Sequence, residues 1–308
     1  MEDLPATILG ETDDTAGVAA VDLRETGAEL WRARLLVASA ALLWSTSGFF
    51  VKSPYFAGWP GPTLAFWRAA FACVVLWPFV RKPSWNWRLI PMTALFAAMN
   101  YTYLTAMAKG SAANAIWLQC TAPVWVLLVG VFVFRERAIR RDWLLAGFVL
   151  AGVAVILHFE SRGAAWEAVI WGLVSGVFYA GVVLSMRHLR ALDAVWLAAL
   201  NHLVTMIVLA PLAFEGSHFP SGVQWLLLAG LGVFQMGLPY VLFGRALRHI
   251  PGHEATGIAM LEPLFVPVWV YLAWGDFPAW WTVVGGGLIL AGLVIRYVEP
   301  RSKEAGVR

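Results

Sequence analysis

The sequence predicts an all-α integral membrane protein of ten transmembrane helices, built as two inverted five-helix repeats. Three observations carry that expectation: an apolar composition, ten apolar stretches of span length, and an alternation of positive charge between loops. Hydrophobic residues make up 60% of the 308 and charged residues 13%, against roughly 25% charged in a soluble domain. Mean hydropathy is +0.70. This composition excludes an ordinary soluble enzyme, a disordered scaffold and a nucleic-acid-binding domain. The net charge of +3 and pI of about 9.0 read as topology charge at a cytoplasmic face, not as a nucleic-acid patch.

A helix crosses the hydrocarbon core with about 20 apolar residues. Residues 1–31 carry Glu2, Asp3, Glu11, Asp13, Asp14, Asp22, Glu25 and Glu29 against Arg24 alone. They lack the basic start and apolar middle of a signal peptide and are expected as a disordered acidic tail. The first two spans are expected at 33–53 and 61–80, parted by Pro60-Gly61-Pro62. Lys82-Pro83-Ser84 introduces the third, 88–108. The fourth to seventh follow at 113–134, 141–159, 166–186 and 193–214. Gly216-Ser217 precedes the eighth, 223–245, and Pro251-Gly252 the ninth, 254–274. Asp276-Phe277-Pro278 leads into the tenth, 279–298, and residues 299–308 form a second tail. These breakers are the residues that end helices and start turns. Ten spans take about two thirds of the chain, which leaves no room for a soluble catalytic domain.

Lys and Arg in short loops set orientation. Of the 22, eighteen fall in one set of alternate loops and tails, among them Arg81, Lys82, Arg135, Arg137, Arg140, Arg141, Arg245 and Arg248. The other set holds only Lys52, Lys109 and Arg162, and Arg68 lies within a span. Both termini are therefore expected in the cytoplasm, which requires an even number of spans.

The fourth and fifth spans resemble the ninth and tenth at one offset of 140 positions. Pro123 matches Pro263, Glu136 matches Asp276, Gly147 matches Gly287, and Leu150-Ala151-Gly152 matches Leu290-Ala291-Gly292. Similarity at a fixed period marks duplicated architecture. The expected repeats are 32–160 and 161–298. Five spans is an odd number, so the copies must cross the membrane in opposite senses. Secondary transporters use such inverted repeats to build two gates around one midplane site.

The chain resembles the drug/metabolite transporter superfamily, in its ten-span EamA-type exporters. The resemblance covers about residues 33–298. It rests on Leu43-Trp44-Ser45, Phe66-Trp67-Arg68-Ala69, Ala122-Pro123-Val124, Arg135-Glu136-Arg137, the Gly147 to Gly152 stretch, Leu261-Glu262-Pro263-Leu264 and the Gly287 to Gly292 stretch. Gly275-Asp276 departs from the family's usual glutamate. The Trp- and Tyr-rich spans look closest to exporters of aromatic amino acids. The resemblance implies a central cavity between the two halves and a bacterial inner-membrane location.

Several mid-span faces are candidates to line that cavity. Trp44 and Ser47 share a helical face, with Ser45 beside them. Asn100 and Tyr103 share one in the third span, flanked by Tyr101. Asn114 and Trp117 do so in the fourth, with Gln119 nearby, and Trp171, Ser175 and Tyr179 in the sixth. Gln235 precedes Pro239 and Tyr240 in the eighth. Polar groups facing lipid go unsatisfied, so these faces should turn to protein or to a watered cavity. Two readings stay open for each: an interhelical hydrogen bond, worth about 0.6 kcal/mol on average, or a surface that stacks on a planar apolar substrate and bonds its polar end.

Charges within spans cost about 2.5–3.5 kcal/mol and persist only if paired, neutralised or wet. Arg68 either snorkels to the interface or holds a carboxylate. Glu262 bonds structurally, pairs with an arginine, or carries a coupling proton, and Asn201 with His202 offers a weaker relay. Pro123, Pro239, Pro263 and Pro267 each remove a backbone hydrogen bond and are candidate gating kinks, with packing kinks as the bland alternative. Gly172, Gly176 and the glycines from 285 to 292 read as close-packing positions. Trp59, Trp77, Trp85, Trp87, Trp143, Trp166, Trp225, Trp274, Trp280 and Trp281 lie near span ends and are expected in interfacial belts.

The expected function is export of small metabolites, amino acids and aromatic ones among them, by alternating access and without covalent chemistry. Expected partners are a small-molecule substrate and the lipid bilayer. No cofactor is expected, since no phosphate-binding loop of the G-x-x-x-x-G-K-[ST] type occurs. No metal is expected: Cys73 and Cys120 are the only cysteines, have no metal-site spacing, and read as packed thiols. Carriers of drugs or nucleotide sugars are one alternative. An intramembrane lipid-modifying enzyme or an accessory membrane subunit is another, disfavoured by the scatter of carboxylates and histidines and by the many inward polar faces.

Overall fold

The computed structural model describes residues 27–160, 166–189, 191–215, 218–250 and 252–297. Both outer tails (1–26 and 298–308), Arg162, Arg190, Gly216-Ser217 and Pro251 lie outside the described residues. Among the described residues there is helix and no strand. The helices are α1 Gly27–Ser45, α2 Ser47–Val51, α3 Gly61–Leu76, α4 Leu89–Lys109, α5 Ala112–Gln119, α6 Ala122–Phe132 and α7 Arg140–Glu160. They continue as α8 Trp166–His188, α9 Ala194–Phe214, α10 Val223–Gly232, α11 Leu238–Ala246, α12 Gly252–Ala259, α13 Leu261–Trp274 and α14 Trp280–Tyr297. The first helix starts at Gly27, inside the stretch expected as tail, with Glu29 in its first turn where the helix dipole favours an acid.

Among the described residues, nine helical segments are long and apolar enough to cross a membrane. The expected third span is not one of them. It is the 21-residue α4, about 31 Å long at 1.5 Å per residue. Asn100, Tyr101, Thr102, Tyr103 and Thr105 dilute its hydropathy, and Asn100, Thr102, Tyr103 and Thr105 are buried.

Several spans are interrupted. The fourth breaks between α5 and α6 at Cys120-Thr121, and the ninth between α12 and α13 at Met260. Pro123 and Pro263 each follow the break, at the start of the second half-helix. Neither has an N–H to donate, so the carbonyl four residues back loses its partner. The half-helices α5 and α12 occupy 112–119 and 252–259, so their limits differ by the same 140 positions as the sequence matches. The first span breaks at Thr46, and the eighth passes through a π turn, Val233–Gly237, before Pro239.

The packing has a matching regularity. Gly152 of α7 meets the carbonyl of Gly285 of α14, while Gly292 of α14 meets the carbonyl of Leu145 of α7. Shifting by 140 turns one contact into the other. Gly147 and Gly287, also 140 apart, both face open space. The first span packs on the eighth and ninth, and the sixth packs on the third and fourth; the second packs on the seventh, and the fifth on the tenth. Exchanging each span for its counterpart five places on leaves that scheme unchanged.

Loops expected on one side meet one another. Lys52 Nζ donates to the carbonyls of Gly110 (2.6 Å) and Met107 (3.3 Å). Gln224 Nε2 donates to the Tyr55 carbonyl at 2.8 Å, and Lys109 pairs with Glu167 at 3.0 Å. At the opposite end, Trp196 Nε1 donates to the Ser84 carbonyl at 2.9 Å, Arg34 pairs with Glu254 at 2.6 Å, and Arg296 pairs with Asp142. The first group defines the sparse end and the second the basic end.

The core is unevenly divided between these ends. The largest cluster runs through Val51, Leu64, Leu104, Met107, Ile116, Leu118, Leu228, Val266 and Val270, in the halves of their spans nearer the sparse end, and reaches the basic end through Leu145, Ala146 and Leu293 where α7 packs on α14. Toward the basic end the other buried apolar residues fall into separate groups, such as Ala33, Val37, Ala246, Ile250 and Ala255, or Leu89, Met92, Leu189, Leu197 and Leu200. Apolar surface gains little from leaving lipid for protein, so close fit decides which faces join. The sparse half holds most of the largest cluster, and the basic half holds several smaller ones.

Candidate functional site

Arg68 of α3 is 1% exposed, so it does not snorkel. Its Nη2 donates to Asn100 Oδ1 on α4, and its guanidinium lies 6.0 Å from the centre of the Tyr103 ring. Asn100 donates its own Nδ2 to the Phe96 carbonyl at 2.8 Å, which fixes the oxygen toward Arg68. The hydroxyls of Tyr103 and Ser47 are 3.3 Å apart. Spans one, two and three thus meet through polar atoms.

The eighth span closes the other side. Gln235 lies in the π turn, and its Nε2 donates to the Trp44 carbonyl at 3.2 Å. The Trp44 ring meets Tyr240 edge-on at 5.5 Å, and Tyr240 in turn meets His202 at 5.8 Å. π turns inside helices frequently mark functional positions. Glu262 is the second residue of α13 and half-buried. It lies within electrostatic reach of Arg68, as Tyr240 does, yet forms no ion pair with it.

Tyr179 is the most exposed residue of this group. It is 41% exposed, yet it lies within electrostatic reach of Glu262, Tyr240, Cys120 and Tyr297. Exposure falls from Tyr179 through the half-buried Glu262 and Tyr240 to Tyr103 at 5% and Arg68 at 1%. Exposure thus declines from Tyr179 to Arg68 along a line of polar and aromatic side chains. A surface cleft of about 270 Å³ between Arg81, Asp193, Arg245 and Arg248 lies at the basic end itself, apart from these residues.

Other candidates seal the sparse end. Asn114 donates to Glu160 Oε1 at 2.8 Å and accepts from Thr282 Oγ1 at 2.8 Å, while Trp281 Nε1 donates to Glu160 at 3.1 Å. Tyr101 meets Trp171 edge-on at 5.4 Å, and Trp171 Nε1 donates to Glu167 at 3.2 Å. Trp117 packs against Gly286. Ser175 donates within its own helix, to Gly172 at 2.7 Å, and Gln119 is half-buried at the end of α5. Gly172 and Gly176 lie against Leu118 and Thr121, as close-packing glycines should. Trp77, Trp85, Trp87, Trp143, Trp166, Trp225 and Trp280 are exposed, whereas Trp59, at 7% exposed, is packed inside and not in a belt. Trp274 donates to the Phe49 carbonyl at 2.8 Å and, like Trp281, is spent on the seal.

Three participants carried no advance signal as site residues. Trp269 Nε1 donates to Ser45 Oγ at 2.8 Å. Lys52 latches the first span to the α4–α5 loop. Burial pulls its ammonium below the usual lysine value, and the Asp276 carboxylate opposes that shift. Cys120 sits at the break in span four, within reach of Tyr103 and Tyr179. Only the rarity of cations in the sparse-end loops could have drawn attention to Lys52.

The arrangement can bind and release a solute with polar and aromatic parts. Among the described residues no group of three or more His, Cys, Asp or Glu could hold a metal. The family model for EamA-like transporters matches residues 31–158 and again 166–298. An uncharacterized transporter of Archaeoglobus fulgidus is 26% identical over 84% of this chain and 94% of its own length. The pseudopaline exporter CntI of Pseudomonas aeruginosa is 28% identical over the same shares, and the S-adenosylmethionine uptake transporter of Rickettsia felis is 22% identical over 78% and 84%. A solved crystal structure at 18% identity superposes with a TM-score of 0.64 over 86% of this chain and 96% of its own, which establishes likeness of fold.

Proposed function

This chain belongs to the EamA-like transporter family, and we propose that it exports amino acids, aromatic ones among them, across a bacterial inner membrane by alternating access. It is a multi-pass membrane protein, and its relatives are named as transporters of small metabolites. The carrying observation is the line of polar and aromatic side chains from Tyr179 to Arg68, which we read as a vestibule open at the basic end and closed at the sparse end. Positive charge favours the cytoplasmic side, so the basic end and both termini face the cytoplasm and the vestibule is open inward. Ten spans follow, with α4 as the third crossing. The two matches to one family model, the shared break at Pro123 and Pro263 and the exchange-symmetric packing support two inverted repeats. Trp44, Tyr103, Tyr179 and Tyr240 supply aromatic contact, and Glu262 with His202 is the proton-coupling candidate.

Vesicles reconstituted with the purified protein should take up labelled phenylalanine faster than protein-free vesicles. Equal rates would remove the aromatic substrate.

A further inference from the structure

Arg68 is held at one nitrogen only. Nη2 bonds Asn100, while Nε and Nη1 have no partner although they are buried. The neighbouring polar atoms share that condition. Both ring nitrogens of His202, which is 0% exposed, are unpartnered, and so is Oε1 of the buried Gln235. These groups form one locus. His202 lies within electrostatic reach of Arg68, its ring meets Tyr240, Tyr240 meets Trp44, and Trp44 is bonded by Gln235. Gly232 packs directly on the Arg68 carbonyl, which brings the eighth span to the same place. Buried polar groups are ordinarily satisfied, so a concentration of unsatisfied ones at the inner end of a vestibule is a site shaped for a polar ligand.

The chemistry of that ligand follows from the donors. A guanidinium is a planar fork of N–H groups that matches a carboxylate, and it cannot deprotonate to escape its charge. Glu262, the nearby carboxylate, stands off and leaves the fork unfilled. We propose that Arg68, oriented by Asn100, is the carboxylate pole of the substrate site and Glu262 the pole for a cationic group, so that the site selects a zwitterion with an aromatic or apolar body. Tyr179 and Tyr240 lie between the poles and the opening, where the body contacts their rings. This rests on the carrier reading above and narrows its substrate class.

The test uses the full-length protein, in detergent for thermal-shift binding and in vesicles for uptake. Phenylalanine carries both charges, 3-phenylpropionate only the carboxylate and phenylethylamine only the ammonium. Phenylalanine should bind most tightly. Loss of one charge-assisted contact costs roughly 10- to 100-fold in affinity. Arg68→Gln should weaken 3-phenylpropionate by that factor and phenylethylamine less, with partial rescue by Arg68→Lys. Glu262→Gln should do the reverse. Asn100→Asp offers Arg68 an internal carboxylate and should weaken 3-phenylpropionate even if Arg68→Gln does not fold. If phenylethylamine binds as well as phenylalanine, or the variants show no such exchange of preference, the two-pole site is wrong while uptake of phenylalanine leaves the carrier reading intact. If wild-type protein neither binds nor carries any of the three, both fall together.

Discussion

At the scale of single residues, Arg68 and Glu262 show how buried charges persist in a span. They do not pair with each other: Arg68 has tyrosines, the Asn100 amide and the His202 imidazole around it, and Glu262 lies within electrostatic reach of Tyr103, Tyr179 and Tyr240. If Glu262 couples substrate to protons, Glu262→Gln should flatten the pH dependence of uptake, and an unchanged pH profile in vesicles would end that role. Glycine carries the other residue-scale constraint. A Cβ at Gly152 would strike the Gly285 carbonyl and Ile289, so Gly152→Val must part α7 from α14. Such overpacking costs about 1–3 kcal/mol, read as a lower Tm of the detergent-solubilised protein. No change in Tm would mean that the two helices separate without cost.

At the scale of elements, the informative features are the interruptions. A proline at the start of each second half-helix frees one backbone carbonyl, that of Gln119 in one half and Ala259 in the other. Such carbonyls are tolerated within a membrane only where protein or a wet cavity surrounds them. Here both breaks lie beside the vestibule residues, Cys120 at one and Glu262 at the other. Pro123→Ala and Pro263→Ala restore the missing donor and should heal the breaks. The expected result is slower uptake with Tm unchanged or raised. Uptake at the wild-type rate would reduce both breaks to packing features. The π turn around Gln235 belongs with them, since Leu238 N–H reaches back to the Val233 carbonyl just before a proline that has no N–H to give.

At the scale of the whole molecule, one end holds most of the largest core cluster and the other several smaller ones. Opening the sparse end must break the Lys52 latch, the Asn114–Glu160–Thr282 knot and the Lys109–Glu167 pair together, and closing the basic end must rearrange the Arg34–Glu254 and Trp196–Ser84 contacts. Cysteines placed at 109 and 188 should react with an impermeant thiol reagent from opposite sides of the membrane. A cysteine at 179 should react from the same side as 188. Labelling of 179 from the side of 109 would contradict an inward-open vestibule, and labelling of 109 and 188 from one side would overturn the alternation of loops.

Much was legible in the sequence because the deciding quantities are local. Span length is read from consecutive apolar residues, loop charge from the residues between them, and the 140-residue register from a few prolines and glycines. These returned the helix limits to within a few residues, the loop sets that meet, and the equal placement of two helix breaks. The one span whose hydropathy falls short, α4, does so because its polar residues are buried against other spans and not against lipid. Only the tertiary structure decided which polar residues share a site. Asn100 and Asn114 look alike on their helix faces, yet one holds Arg68 and the other ties Glu160 to Thr282. That difference depends on contacts across 32, 46 and 168 positions of chain, which helical periodicity cannot rank. Which end stands open is likewise a property of how preformed helices pack, and alternating carriers keep two such packings close in free energy.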